Sequence, residues 1–478
     1  MLFNSFQFFI FFPVVTTLYF LLDHKWRWLC LLLASCIFYM AFIPKYILVL
    51  FATIIIDYVA AIYIEKSEGK RRKIWLSASI ISTVLVLFIF KYFNFFNANF
   101  AAIAAFFHWN YSMETLKLIM PIGLSFHTFQ SLSYVIEVYR DRQKAEHHFG
   151  IYALYVMFYP QLVAGPIERP QNLLHQFYEK HKFQYAQTVH GLRLMLWGLF
   201  KKVVIADNAA IFVNLVYAHP QNFTGIPLIL ATVFFAFQIY CDFSGYSDIA
   251  IGAAEVMGFR LSKNFNRPYF SKSISEFWKR WHISLSSWFR DYVYIPLGGN
   301  RVSPPKIYFN LLVTFLLSGL WHGANWTYVV WGALNGCYLV AEIITKDLRR
   351  RAAHFIGLDR FPKLNAFIKA GTTFSLICFA WIFFRASNMH DAFYIVSHLF
   401  SGITVPANIG ITLHSFEFIS LLIAITVAAD LLQRKPGFLD RLAQRSIVLR
   451  WGSYYIAIAL IIYFLNGLSS SNFIYFQF

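Results

Sequence analysis

Residues 275–301, SEFWKRWHISLSSWFRDYVYIPLGGNR, and residues 316–332, LLSGLWHGANWTYVVWG, decide how the chain is read. Between them lies an apolar run, Ile307 to Leu320, and a second apolar run, Trp326 to Ile344, overlaps the end of the second stretch. His322 closes the first run, with Trp321 before it and Gly323 after it. An ionisable side chain inside a membrane segment is expensive, so its default reading is functional. Imidazole also changes charge near neutral pH, which suits proton transfer.

The rest of the chain is built for a bilayer. Hydrophobic residues make up 58% of 478 and charged residues only 13%, too few for an ordinary soluble domain. Repeated apolar stretches of spanning length point to an all-α polytopic membrane protein with about 11 or 12 transmembrane helices and some re-entrant segments. In lipid, burial against water does not hold helices together, so small residues and a few polar contacts must. Gly319-x-x-x-Gly323 and Gly332-x-x-x-Gly336 are such close-packing patterns.

The formal net charge of +18 would suggest nucleic acid in a soluble protein. Here much of it lies in short loops, and no basic groove or zinc spacing accompanies it, so nucleic-acid binding is set aside. Cys30, Cys36, Cys241, Cys337 and Cys378 form no CxxC pair and sit among apolar residues. They read as small buried hydrophobes, with neither a disulfide frame nor a metal site.

Taken in order, Met1 to Leu22 lacks a basic leader and reads as a retained first span. Trp28 to Ile43, Tyr46 to Ile64 and Ile74 to Phe93 follow. The EKSEGKRRK loop, Glu65 to Lys73, is cytoplasmic by charge, and so is KDLRRR, Lys346 to Arg351. The aromatic Asn94 to Tyr111 stretch reads as an interfacial belt. Pro121 and Gly123 break the helix pattern of Leu116 to Tyr139, where His127 and Gln130 follow. Ile151 to Pro170, with Pro160, Gly165, Pro166 and Pro170, is expected to be re-entrant. Gly191 to Tyr217, carrying Lys201, Lys202 and Asp207, is expected to be amphipathic, at the interface or spanning obliquely. Asp242, Ser244, Ser247 and Asp248 interrupt Ile226 to Met257 and are expected to face the interior. Phe367 to Phe384, Leu413 to Ala429 and Trp451 to Leu465 complete the spans, which puts the terminal FIYFQF outside. The chain divides provisionally into N-terminal helices (1–111), a catalytic core (112–345) and C-terminal helices with a tail (346–478), all within one membrane-embedded domain.

Each candidate residue has a structural alternative. His322 can simply hydrogen-bond between closely packed helices. His282 lies among Trp278, Trp281, Leu285, Trp288 and Phe289 at helical spacing, which also describes an interfacial amphipathic helix. Tyr475 fits an aromatic anchor at the membrane surface. Gly298 and Gly299 permit a tight turn, but no GK[ST] follows, so the turn is not a phosphate loop. There is no GxSxG elbow and no evident activated cysteine. What remains is a histidine general base, drawing the proton from an acceptor hydroxyl as its oxygen attacks a thioester.

FWKRWHISLSSWFRDYVYIPLGGNR and LSGLWHGANW resemble the signature of the membrane-bound O-acyltransferases. PIGLSFHTFQSLSYVIEVYR, FYPQLVAGPIERP, QIYCDFSGYSDIAIG and the FIYFQF end resemble its bacterial alginate O-acetylation branch. The resemblance implies a ring of tilted helices around a buried catalytic cavity in the bacterial inner membrane. It implies His322 and His282 as site residues and Tyr475 as a candidate acyl carrier. It also implies acetyl-CoA as cytoplasmic donor, no metal, a periplasmic transferase of the SGNH type as partner, and a cell-envelope polysaccharide such as alginate or peptidoglycan as acceptor. Two rivals stay open. A secondary transporter would use broken helices with Asp242 and Asp248, and a non-catalytic scaffold would only anchor an exopolysaccharide complex.

Overall fold

The structure is a computed structural model that describes residues 1–163, 165–402, 412–433, 446–467 and 473–474. The all-α polytopic class holds. The described residues form helices joined by irregular segments, with no strand among them, and seven of these helices are long and apolar enough to cross a membrane. These are Pro44–Lys66, Gly69–Phe106, Ile226–Val256, Trp326–Ile344, Pro362–Arg385, Leu413–Leu432 and Ile447–Leu465, with Phe6–Leu21 a shorter apolar helix. The helices His24–Met40, Leu124–Tyr139 and Pro304–His322, shorter or less apolar, stand beside these seven.

Two compact units emerge, one formed by residues 1–195 and 246–263, the other by 196–245 and 264–478. In the first unit, the helix Gly69–Leu87 runs through a π-helical turn, Phe88–Tyr92, into Phe93–Phe106. The aromatic stretch expected as an interfacial belt is therefore mostly helix. Its asparagines satisfy the irregular chain that follows: Asn94 Nδ2 donates to the Leu116 carbonyl, and Asn94 Oδ1 accepts the Leu116 N–H, both at 2.8 Å. Backbone groups away from water need such partners.

The break at Gly123 is as the sequence predicts. Gly123 takes φ +77° and caps Leu124–Tyr139, and a side-chain carbon there would lie 2.8 Å from the Leu162 carbonyl oxygen. The expected re-entrant piece divides into helices Phe149–Met157 and Tyr159–Leu162, and Ile151 to Tyr159 are fully or almost fully buried. Irregular backbone of this kind is tolerated at membrane depth only where protein covers it. Two polar groups seal the segment: Gln130 Nε2 and Gln161 Nε2 both donate to the Tyr155 carbonyl, at 2.5 and 2.8 Å.

In the second unit, the helices Pro304–His322 and Trp326–Ile344 form an antiparallel pair joined by residues 323–325. Asn325 caps the second helix by accepting the Thr327 N–H at 3.1 Å. A carbon added at Gly319 would sit 2.3 Å from the Tyr328 carbonyl oxygen and 3.1 Å from the Gly332 Cα. One added at Gly332 would meet the Phe315 carbonyl at 2.3 Å. The glycine patterns thus do what their spacing predicts, letting two backbones approach where lipid offers no hydrophobic drive.

Two expectations are corrected here. Lys201, Lys202 and Asp207 lie on no exposed amphipathic face; all three are buried, on the run from the π-helical turn Phe200–Ala206 into Asp207–Ala218. The cysteines are less uniform than the apolar surroundings suggest, since Cys241 and Cys378 are buried but Cys337 is exposed. Of the four polar interruptions, Asp242, Ser244 and Ser247 are buried, while Asp248 is half-buried.

Candidate active site

The long helix pattern around His282 does not form. The chain makes a short helix, Ile274–Trp278, a turn, and a second short helix, Ile283–Phe289, with His282 between them at φ +42°, ψ +56°. A residue other than glycine seldom takes left-handed backbone, histidine more readily than most, and it persists where neighbours over-determine it. Here residues 264–266 do so. The Asn264 carbonyl accepts the Ile283 N–H, and the Arg280 carbonyl accepts the Asn266 N–H, both at 2.9 Å. Asn264 Oδ1 accepts the Ser284 hydroxyl at 2.9 Å. Asn264 and His282 are each only 1% exposed. An interface anchor would lie open to lipid headgroups, so that alternative for His282 falls.

His322 ends the helix Pro304–His322 and is 5% exposed. Its ring lies 4.7 Å from Trp321, 4.9 Å from Trp331 and 5.2 Å from Phe384, centroid to centroid, close to edge-on in each case. Gly323 releases the helix there in an extended conformation, and a side-chain carbon in its place would strike the Tyr328 ring at 2.1 Å.

The structure brings the two histidines to one indole. Trp321 packs 4.7 Å from the His322 ring and 6.4 Å from the His282 ring. On its other side His282 meets Phe243 edge-on at 4.5 Å, and Phe243 in turn packs on Phe473 at 5.7 Å. Phe473 and Ile474, the first two residues of FIYFQF, are buried, and Tyr475 lies outside the described residues. His127 belongs to the other unit, where it is buried on Leu124–Tyr139.

Among the described residues no group of His, Cys, Asp or Glu is arranged to hold a metal ion. A buried imidazole enclosed by aromatic rings can take a hydroxyl proton without competition from bulk water. Trp331, Phe384, Phe243 and Asn264 complete this setting. Phe243 and Trp331 fall inside motifs already singled out, QIYCDFSGYSDIAIG and LLSGLWHGANWTYVVWG, but nothing in the sequence sets them against the histidines, and Phe384 and Asn264 lie in no such motif.

Loss of the Asn264 side chain gives a direct check on this geometry. Asn264→Ala is expected to release His282 from its strained backbone and reduce turnover by up to ~10²-fold, the scale of a misplacement of about 1 Å in a reacting site. Steady-state kinetics read this as a fall in kcat. Unchanged kcat would show that the brace is dispensable.

Comparison with known proteins places the chain in a family. The sequence profile of the membrane-bound O-acyltransferase family matches residues 19–384. The chain is 40% identical over 408 residues to the probable alginate O-acetylase AlgI of Pseudomonas aeruginosa, covering 84% of this chain and 75% of that protein. It is 37% identical over 391 residues to a peptidoglycan O-acetyltransferase of Helicobacter pylori, covering 76% and 72%. A teichoic acid D-alanyltransferase of Bacillus subtilis is 28% identical over 291 residues, covering 57% and 71%. The apolar helices and these similarities converge: the chain is a multi-pass membrane O-acyltransferase and belongs to the membrane-bound O-acyltransferase family.

Proposed function

We propose that the protein moves an acetyl group from cytoplasmic acetyl-CoA across the membrane for O-acetylation of a cell-envelope polysaccharide, with a periplasmic SGNH-type transferase completing the transfer. The observation that carries this reading is the burial of His282 and His322 against one indole, with the C-terminal Phe473 reaching the same cluster through Phe243. The O-acetyl transfer named for the Pseudomonas and Helicobacter relatives supports the choice of acetyl and of a glycan acceptor.

His322 is the general base. It accepts the proton of an acceptor hydroxyl while that oxygen attacks the thioester carbonyl. The C–S bond breaks, the thiolate leaves, and the imidazolium returns the proton to it. His282, packed against the same indole, lines the path of the acyl group. The first acceptor is the Tyr475 hydroxyl, whose phenyl ester then passes the acetyl group to the partner. The chain carries such a hydroxyl one residue beyond a buried, anchored Ile474.

Mass analysis of envelope glycans from cells with and without the protein tests the reaction and names the glycan. Tyr475→Phe removes only the hydroxyl, so O-acetylation is expected to fall to background while the protein stays folded. Undiminished acetylation in that variant would remove the relay. Transport is the weaker alternative, because of the two acids it would use, Asp242 and Asp248, the first is engaged in a buried ion pair with Lys202 at 2.7 Å.

A further inference from the structure

Lys202, Asp207 and Asp242 form a buried charged group in the second unit. Lys202 Nζ lies 2.9 Å from Asp207 Oδ1 and 2.7 Å from Asp242 Oδ1, with side chains only 2%, 7% and 4% exposed. One carboxylate suffices to pair the ammonium, and Asp207, five residues along the same helical run, already supplies it. A second buried carboxylate is costly unless its remaining lone pairs are used. Asp242 Oδ2 is used: it accepts the Ile474 N–H at 2.7 Å, across 232 residues of sequence.

This contact reads backbone, not side chain. Any residue but proline offers that N–H, so the position along the tail is chosen together with the side-chain contact beside it. The neighbouring contact agrees with it, since Phe243, next after Asp242, holds the fully buried Phe473 and touches His282 with the same ring. Two successive residues of the helix Ile226–Val256 thus grip two successive residues of the C-terminus, beside a histidine of the site. Tyr475 is the next residue in the sequence.

We propose that Asp242 is a positioning residue: held by Lys202, its carboxylate clamps the C-terminal segment by the Ile474 N–H and sets the register in which the tail meets the His282–Trp321–His322 cluster. The clamp stands on contacts alone, and only its effect on turnover rests on the acyl-transfer reading.

Hydrogen exchange followed by mass spectrometry on the purified full-length protein in detergent micelles tests it. The C-terminal peptide is expected to be protected in the wild-type protein. In Asp242→Asn it should exchange about tenfold faster, the scale of one weakened hydrogen bond. Lys202 keeps Asp207 in that variant, so exchange in Pro304–His322 should not change. Ile474→Pro deletes the donor from the tail and leaves the helices untouched. It should likewise speed exchange at the amides of Phe473 and Tyr475. Both variants should lower kcat with KM for acetyl-CoA unchanged, an effect a general loss of packing would not confine to kcat.

Equal exchange of the C-terminal peptide in the wild-type protein and in Asp242→Asn, with Pro304–His322 protected in both, would overturn the clamp. Should Asp242→Asn lose protection throughout, Ile474→Pro decides the matter, and unaltered tail protection there overturns the proposal. Faster tail exchange in both variants with acyl transfer undiminished supports the clamp and removes the tail relay, so the two ideas fail separately.

Discussion

His322→Ala is expected to lower acyl transfer by ~10²–10⁴, the usual contribution of a positioned general base. The side chain ends its helix at a buried point where Trp321, Trp331 and Phe384 surround the ring. His282, whose ring centroid is 6.4 Å from the Trp321 indole, meets that indole less closely than His322 does at 4.7 Å. Removing a ring from a packed aromatic site also leaves a cavity, which costs stability. His322→Gln separates the two effects, since it keeps most of the volume and a hydrogen-bonding end but cannot serve as a base near neutral pH. Initial rates with labelled acetyl-CoA, read beside thermal unfolding in the same micelles, check both variants. A glutamine variant as active as the wild-type protein would refute the general base, and with it the reason for the buried ring.

Gly319→Leu is expected to disable the protein by a different route. Its first side-chain carbon would lie 2.3 Å from the Tyr328 carbonyl oxygen, a backbone atom that cannot swing aside. Overpacking typically costs about 1–3 kcal/mol, and a rigid backbone neighbour puts this case at or above the upper end. The helix Pro304–His322 would have to move off Trp326–Ile344, carrying His322 away from Trp331. A marked fall in Tm together with loss of acyl transfer is the expected pair of results. Gly371→Ala is the contrast: nothing lies within 4 Å of the added carbon, and the glycine sits inside the helix Pro362–Arg385. That change should be neutral or stabilising by roughly 0.5–1 kcal/mol, as for alanine replacing glycine in a helix. Equal Tm values for Gly319→Leu and the wild-type protein would mean that the two helices do not cross as tightly as the geometry requires.

Local pattern carried much of this structure. Apolar length and low charge identify a polytopic helical protein, because the bilayer admits few other solutions. Gly319 and Gly332 announce a close crossing by spacing alone, and Gly123 and Pro160 announce breaks where the chain does break. His322 stands out because an imidazole ending an apolar run is rare. These features share a cause: each depends on residues within a few turns of one another.

What the tertiary structure decided lies elsewhere. The spacing around His282 reads as one amphipathic helix, yet Asn264 bends the chain at that residue and buries the ring. Gly191 to Tyr217 reads only as an amphipathic stretch that carries Lys201 and Lys202, and the fold sets Ser244, Asp207 and Asp242 against them. Asp242 reads as an interior polar group, but its bond to Ile474 joins positions 232 residues apart. Sequence shows which groups must be satisfied. A charge or a left-handed backbone becomes affordable only through a partner brought up by the fold, and that partner is not written in its neighbourhood.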